Sequence, residues 1–271
     1  LEINTTGTVA NAMSIFNIRS LQSVTLSGNK TLNNATYTVD AGTTTTESGV
    51  LSGSGGITKE GTGSLVVTAS NSFTGATVVN AGVLNLNSST GAALGASTNV
   101  TVSATLLISQ SGQVADNAAI TLSGGTISRG SGVSETFGSL NIIGSGILDF
   151  GTDAVGNLTF GTYQNNAQTE SALLTINNFL PGNSFTFSST TFSTNNVGSY
   201  FSFGTGYVNS SISNTGSTFT ITAIPEPSTY LAAAGLLSLM LWPSRKRLIK
   251  DAKKILGLRA PMRDRLAAKR A

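Results

Sequence analysis

Short alternating runs of apolar residues, punctuated by glycine and asparagine, fill most of the chain. Runs at 14–18, 24–26 and 37–39 lie between Gly, Asn and Ser positions, the pattern of short strands divided by turns. The polar run 43–46 fits either a strand at the edge of a rung or a loop. Residues 55–87, GGITKEGTGSLVVTASNSFTGATVVNAGVLNLN, hold apolar runs at 64–68, 76–79 and 83–86. These are split by Gly61-Thr62-Gly63, by 71–75 and by Asn80-Ala81-Gly82. Glycine at such points supplies the positive φ needed where the chain turns a corner.

Leu86, Ala104, Leu122, Leu140, Leu158 and Ile176 follow one another 18 residues apart. A fixed period of about 20 marks a solenoid, in which each coil stacks its apolar residue on its neighbour's. The row therefore predicts that Leu122 and Leu140 occupy equivalent core positions in successive coils. A companion row, Leu84, Val102 and Ile120, runs into Gly138 and Gly156. Residues 137–163 continue as short strands between glycines. From 173 to 221 the strands alternate at hairpin-like spacing and carry aromatics (LLTINNF, NSFTFSS, SYFSFGTGYV, STFTIT). They predict a β cap or small antiparallel unit, since an open solenoid end is an unpaired sheet edge. The expected fold class is all-β: a right-handed parallel β-helix, with almost no helix before Pro227. Residues 1–130 form the solenoid, and 131–223 hold further coils and the capping unit.

The pattern changes at 224–247, IPEPSTYLAAAGLLSLMLWPSRKR. Pro225 and Pro227 favour an extended backbone around Glu226, a shape that a processing enzyme can hold in its cleft. Residues 230–242 are apolar apart from Tyr230 and Ser238, and predict a single transmembrane helix. The run is shorter than the ~20 residues that span a bilayer. Ser228, Thr229, Pro243 and Ser244, with local thinning, make up the length. Arg245, Lys246 and Arg247 resist translocation and mark the cytoplasmic side, a membrane stop. In 248–271, Leu248, Ala252, Ile255, Leu256 and Arg259 follow helical spacing with Lys and Arg opposite. This predicts a basic amphipathic helical tail, broken at Pro261 and suited to an anionic membrane surface.

Composition sharpens the division. Only 10% of the 271 residues are charged, and the net +3 is segregated. Residues 1–224 hold four basic and nine acidic groups, net −5; residues 225–271 hold eleven and three, net +8. No basic patch in the body points to nucleic acid. There is no cysteine, hence no disulfide or thiol chemistry. There is no histidine, which removes the usual general base, the commonest metal ligand and any Ser-His-Asp arrangement. The chain starts at Leu1 without a charged n-region or apolar h-region, so a signal peptide is expected upstream.

Two stretches carry family resemblances. The triplet Pro225-Glu226-Pro227, the apolar run and the basic cluster together resemble the PEP-CTERM sorting signal of exported bacterial proteins. That resemblance implies an exosortase-type membrane protease that cuts near the triplet and releases or re-anchors the protein at the cell surface. The extension 248–271 departs from the family, whose members usually stop soon after the basic cluster; an ordinary C-terminal anchor is the alternative. Residues 55–87 resemble the autotransporter-associated β-strand repeat, which implies a parallel β-helix on a secreted protein. The ~10-residue alternating strands of an outer-membrane barrel do not close the sequence.

β-Helices also carry polysaccharide lyases and hydrolases. Glycoside hydrolysis needs two carboxylates facing one bond. Asp149 and Asp153 are the close acidic pair of the body, but Gly151 between them reads as a turn and no basic residue lies nearby. Calcium coils of the GGxGxD type are absent. The expectation is an exported, non-catalytic structural or adhesive surface protein without cofactor or metal, associated with extracellular polysaccharide or biofilm matrix. The alternative is a polysaccharide-degrading enzyme on the same scaffold.

Overall fold

The computed structural model describes residues 2–3, 7–9, 13–152, 155–165, 174–188, 201–204, 210–215 and 218–224. The chain divides into two compact units, Leu1–Ile224 and Pro225–Ala271. The second unit lies outside the described residues, and with it the expected transmembrane helix 230–242 and the tail 248–271. No helix occurs among the described residues, so none there crosses a membrane.

Two sheets are built by one alternating path. The first, thirteen-stranded, runs in the order β1 (Glu2–Ile3), β3 (Met13–Ser20), β5 (Lys30–Val39), β8 (Ile57–Glu60), β10 (Thr77–Val79), β12 (Asn99–Val102), β14 (Ala119–Leu122), β16 (Glu135–Ile142), β18 (Asn157–Asn165), β20 (Ser184–Phe187), β23 (Phe219–Ala223) and β22 (Ser210–Asn214), with β7 (Leu51–Ser52) beside β5. The second, ten-stranded, runs β2 (Gly7–Val9), β4 (Val24–Leu26), β6 (Thr44–Glu47), β9 (Ser64–Val67), β11 (Val83–Leu86), β13 (Thr105–Ile108), β15 (Thr126–Arg129), β17 (Gly146–Asp149), β19 (Leu174–Asn177) and β21 (Phe201–Phe203). As far as β21, strands pair in parallel with the strand of the adjacent coil rather than with a sequence neighbour. This is a parallel β-solenoid of right-handed type, the sense in which nearly all parallel crossovers wind. The polar run 43–46 resolves as a strand, β6, completing the coil that β5 begins.

Alternation decides which side chains enter the core, because successive residues of a strand point to opposite faces. In-register pairing then stacks the inward residues in rows. One row of the first sheet is Ile18, Tyr37, Lys59, Val79, Val102, Leu122 and Ile142. The next is Ala35, Ile57, Thr77, Val100, Ile120, Leu140 and Tyr163. The second sheet answers with Thr45, Leu65, Leu84, Leu106, Ile127, Leu148 and Ile176. All of these side chains are buried. Phe137, Phe160 and Phe187 share another row and stack face on, with centroids 4.9 and 5.5 Å apart.

These rows replace the predicted 18-residue row. Leu122 and Leu140 do face the core, but Leu122 stacks on Val102 and Ile142, and Leu140 on Ile120 and Tyr163. Leu86 and Ile176 lie in the other sheet, and Ala104 falls in the corner before β13. The companion row fails likewise: Leu84 pairs with Leu65 and Leu106, not with Val102. The physical reason is that coil length is not constant. A coil takes 19 residues from Ile18 to Tyr37 and 28 from Leu148 to Ile176. From β3 to β17 the corner from first to second sheet takes two to four residues while the return loops differ in length, and between β18 and β19 the gap widens to eight residues.

The corners need glycine where the sequence supplies it. Gly61 and Gly82 have φ of +73° and +65°, and a Cβ would lie 2.2 Å from the Val39 carbonyl oxygen and 2.3 Å from that of Gly63. Any other residue would be strained there and would push the stacked coils apart. The aromatic strands near the end differ from the hairpin expectation. β19, β20 and β21 still pair in parallel with preceding coils, and only β22 and β23 are antiparallel, with β23 laid on β20.

Leu140 has no exposure. Leu140→Asp should cost roughly 3 kcal/mol or more, because it buries an unpaired carboxylate between two apolar coils. Thr121→Asp, on the outward face of β14, should cost under about 0.5 kcal/mol. Denaturant midpoints of the two variants check the register.

Candidate functional site

Pro225, Glu226, Pro227, Arg245, Lys246 and Arg247 lie outside the described residues. What the structure does place is the charged chemistry of the solenoid, and most of it is internal. Lys30, Lys59 and Arg129 are buried, and Arg19 is the one exposed cation among the described residues.

Lys59 belongs to the ITKEGTG start of the repeat and points inward from β8, between Tyr37 and Val79. It forms no ion pair. Its ammonium donates to the carbonyl oxygens of Glu60 at 2.8 Å, Gly61 at 2.7 Å and Ala81 at 3.1 Å. The first two close its own corner; the third belongs to the corner of the next coil. The lysine thus clasps two turns at the glycines that permit them. Burial lowers its pKa to about 8, against the pull of the Glu60 carboxylate. Asn71, further along the repeat, does similar work with an amide: its Oδ1 accepts from the Leu51 N–H at 2.8 Å, and its Nδ2 donates to the Ala93 carbonyl at 2.6 Å.

A second cluster lies one coil earlier. Lys30 Nζ is 2.7 Å from Glu47 Oε1, and the Tyr37 hydroxyl donates to Glu47 Oε2 at 3.0 Å. The Gly49 N–H donates to Oε1 at 3.1 Å. Burial pushes the Glu47 carboxyl up despite the lysine, and pushes the Tyr37 phenol well up, with the neighbouring carboxylate adding to the effect. In a later coil Glu135 points inward and accepts from the Gln113 and Val114 N–H groups at 3.0 and 3.1 Å. Burial raises its pKa too, against those hydrogen bonds. Arg129 donates to the Gly130 carbonyl at 3.0 Å and to Asn183 Oδ1, and its guanidinium lies 5.3 Å from the Phe150 ring centroid.

Displaced carboxyl pKa values often mark catalytic acids. Glu47 and Glu135 are enclosed at 0% and 3% exposure and hold backbone amides, so their geometry is that of coil-joining groups. Asp149 is the predicted turn residue: its Oδ1 accepts from the Gly151 N–H at 3.0 Å and from Asn178 Nδ2 at 2.7 Å, and Gly151 has φ of +68°. Its partner in the candidate acid pair, Asp153, lies outside the described residues. No group of three or more His, Cys, Asp or Glu able to hold a metal ion occurs among the described residues. Sequence reasoning saw Lys59 only as part of a motif. The signal was there in an isolated lysine, in a charge-poor body, immediately before a glycine corner.

Residues 57–86, from the β8 strand that carries Lys59 to the end of β11, match the passenger-associated-transport-repeat family. The chain is also similar to the adhesin BmaC autotransporter of Brucella suis biovar 1 (strain 1330), 44% identical over 104 residues. That stretch is 37% of this chain and spans 3% of the adhesin's length. No solved structure matches.

The buried acids set a pH dependence. Glu47 and Glu135 have folded pKa values above 4.5, so the folded chain binds more protons than the unfolded one just above that pH. Their contribution is full below the unfolded value and is lost as pH rises through the folded values. The melting temperature should therefore climb as pH falls from neutral towards about 4.5, and Glu135→Gln should flatten that climb. Lys59 acts oppositely: stability should rise with pH between about 8 and 10.5, an increment that Lys59→Met should abolish. Thermal melts across pH check both.

Proposed function

We propose that this chain is part of an exported, non-catalytic surface protein of adhesive type, displayed as a β-solenoid. The observation that carries the proposal is the clasped repeat coil at 57–86, set within a chain similar over 104 residues to an autotransporter adhesin. In this reading the solenoid is a scaffold whose inward charges hold coils together and whose outward faces meet the environment. The C-terminal stretch supplies the address. Pro225, Glu226 and Pro227 form the processing motif of a PEP-CTERM signal, 230–242 holds the inner membrane transiently, and Arg245, Lys246 and Arg247 stay cytoplasmic until an exosortase-type protease cuts. The mature body would then be acidic, having lost the +8 of residues 225–271. Its association is with extracellular polysaccharide or biofilm matrix rather than with nucleic acid.

Fractionation of native cells tests the sorting. Wild type should yield a surface form lacking the basic tail, and Glu226→Ala, or both prolines changed to alanine, should trap a full-length form with the membranes. Identical fractionation with the tail retained would make the segment a plain anchor. The enzymatic alternative has its own assay. The full chain should release no reducing ends or unsaturated products from neutral or acidic polysaccharides; turnover abolished by Asp149→Asn or Asp153→Asn would establish it instead.

A further inference from the structure

The reading as an adhesive surface protein leaves open which part of the solenoid meets its partner and what that partner's charge is. The two outward faces differ. On the first sheet one in-register outward row is Thr36, Thr58, Val78, Thr101, Thr121, Asn141 and Gln164. Successive members lie one strand spacing apart, ~4.8 Å, so the row is a straight track along the solenoid axis. Among the described residues, the hydroxyls of Thr58, Thr101 and Thr121 take no hydrogen bond. A hydroxyl both donates and accepts, as an amide side chain does. On the second sheet the outward rows are broken by half-buried Val66, Val83, Leu107 and Ile147 and by the carboxylate of Asp149.

Charge narrows the partner. The lysines of the first sheet, Lys30 and Lys59, both point inward. The Glu60 carboxylate beside the track is held by Asn80 Nδ2 at 2.7 Å. Arg19, exposed at the start of the sheet, is paired with Asp40 at 3.4 Å. A uronate or sulfated polymer would meet no unpaired cation there, and the body's net charge would repel it. The aromatics beside the track whose burial is described, Tyr37, Phe137, Phe160 and Tyr163, are buried, so the inference rests on hydrogen bonding rather than on ring stacking. We infer that the outward face of the first sheet, along Thr36, Thr58, Thr101 and Thr121, is a binding track for a neutral, linear glycan. Many weak and repeated hydrogen bonds along one chain give such a track its hold. Val78 is its one aliphatic gap.

This inference rests on the adhesive reading, and its test separates the two. Affinity electrophoresis of the full chain in gels containing hydroxyethyl cellulose, dextran or alginate reads binding as retardation. Retardation is expected in at least one neutral gel and not in alginate. Combined Thr58→Ala, Thr101→Ala and Thr121→Ala should weaken it roughly fivefold or more. The second-sheet control Thr105→Ala with Thr126→Ala should leave it unchanged. Val78→Thr should strengthen it, a gain that a merely structural role would not give. Retardation by alginate alone, loss of binding with the second-sheet control, or no retardation in any neutral gel would overturn the inference. A surface form recovered from cells alongside any of those results would leave the adhesive reading standing.

Discussion

An inward position in this solenoid is shared by every coil, and that constraint governs the rest of the structure. Parallel in-register pairing puts each inward side chain directly over another, with no bulk water between them. An apolar residue meets this condition without help. A charged one meets it only if the surrounding backbone supplies partners, because burying an unpartnered charge costs more than the fold can bear. Lys59 meets it with three carbonyls, Glu135 with backbone amides, Glu47 with an ammonium, a phenol and an amide. Each of these groups thereby joins segments that are distant in sequence and adjacent in space. The polar interior is a set of ties rather than a site.

The same constraint explains what was legible in the sequence. The repeat at 55–87 was readable because its corners are fixed by backbone geometry: Gly61 and Gly82 sit at positive φ against carbonyls of the coil before. Strand boundaries there followed from the glycines, and 83–86 is β11 as expected. The vertical stacking was not readable by counting. Leu122 and Leu140 are core residues because their strands alternate, but their partners depend on loop lengths that no single period describes. Inward or outward is a local property of a strand; register is a property of the whole coil. The aromatic strands show the same limit, since β20 is parallel on one side and antiparallel on the other.

The candidate site was legible in its parts and not in their meaning. Asp149 proved to be the turn residue its neighbouring glycine suggested, with Asn178 from the next coil completing it. The lysines were counted in the net charge but not placed, and their burial leaves the body's carboxylates to dominate its surface. With three of its four cations inside, the solenoid shows its surroundings a hydroxyl-rich surface whose charge is mainly carboxylate, with Asp40, Glu60, Asp116 and Asp149 set against Arg19. The positive charge of the sequence is concentrated after Ile224, at the boundary of the second unit.

Stacking coils by parallel strands has a mechanical side. The backbone hydrogen bonds between coils lie along the solenoid axis, so a load along that axis falls on one ladder at a time. Each coil that gives way frees between 17 and 28 residues, on the order of 60–100 Å of extended chain. A stack of this kind lengthens in steps and dissipates work as each coil opens. The Lys59 and Asn71 bonds cross from coil to coil and have to break together with the backbone ladder beside them.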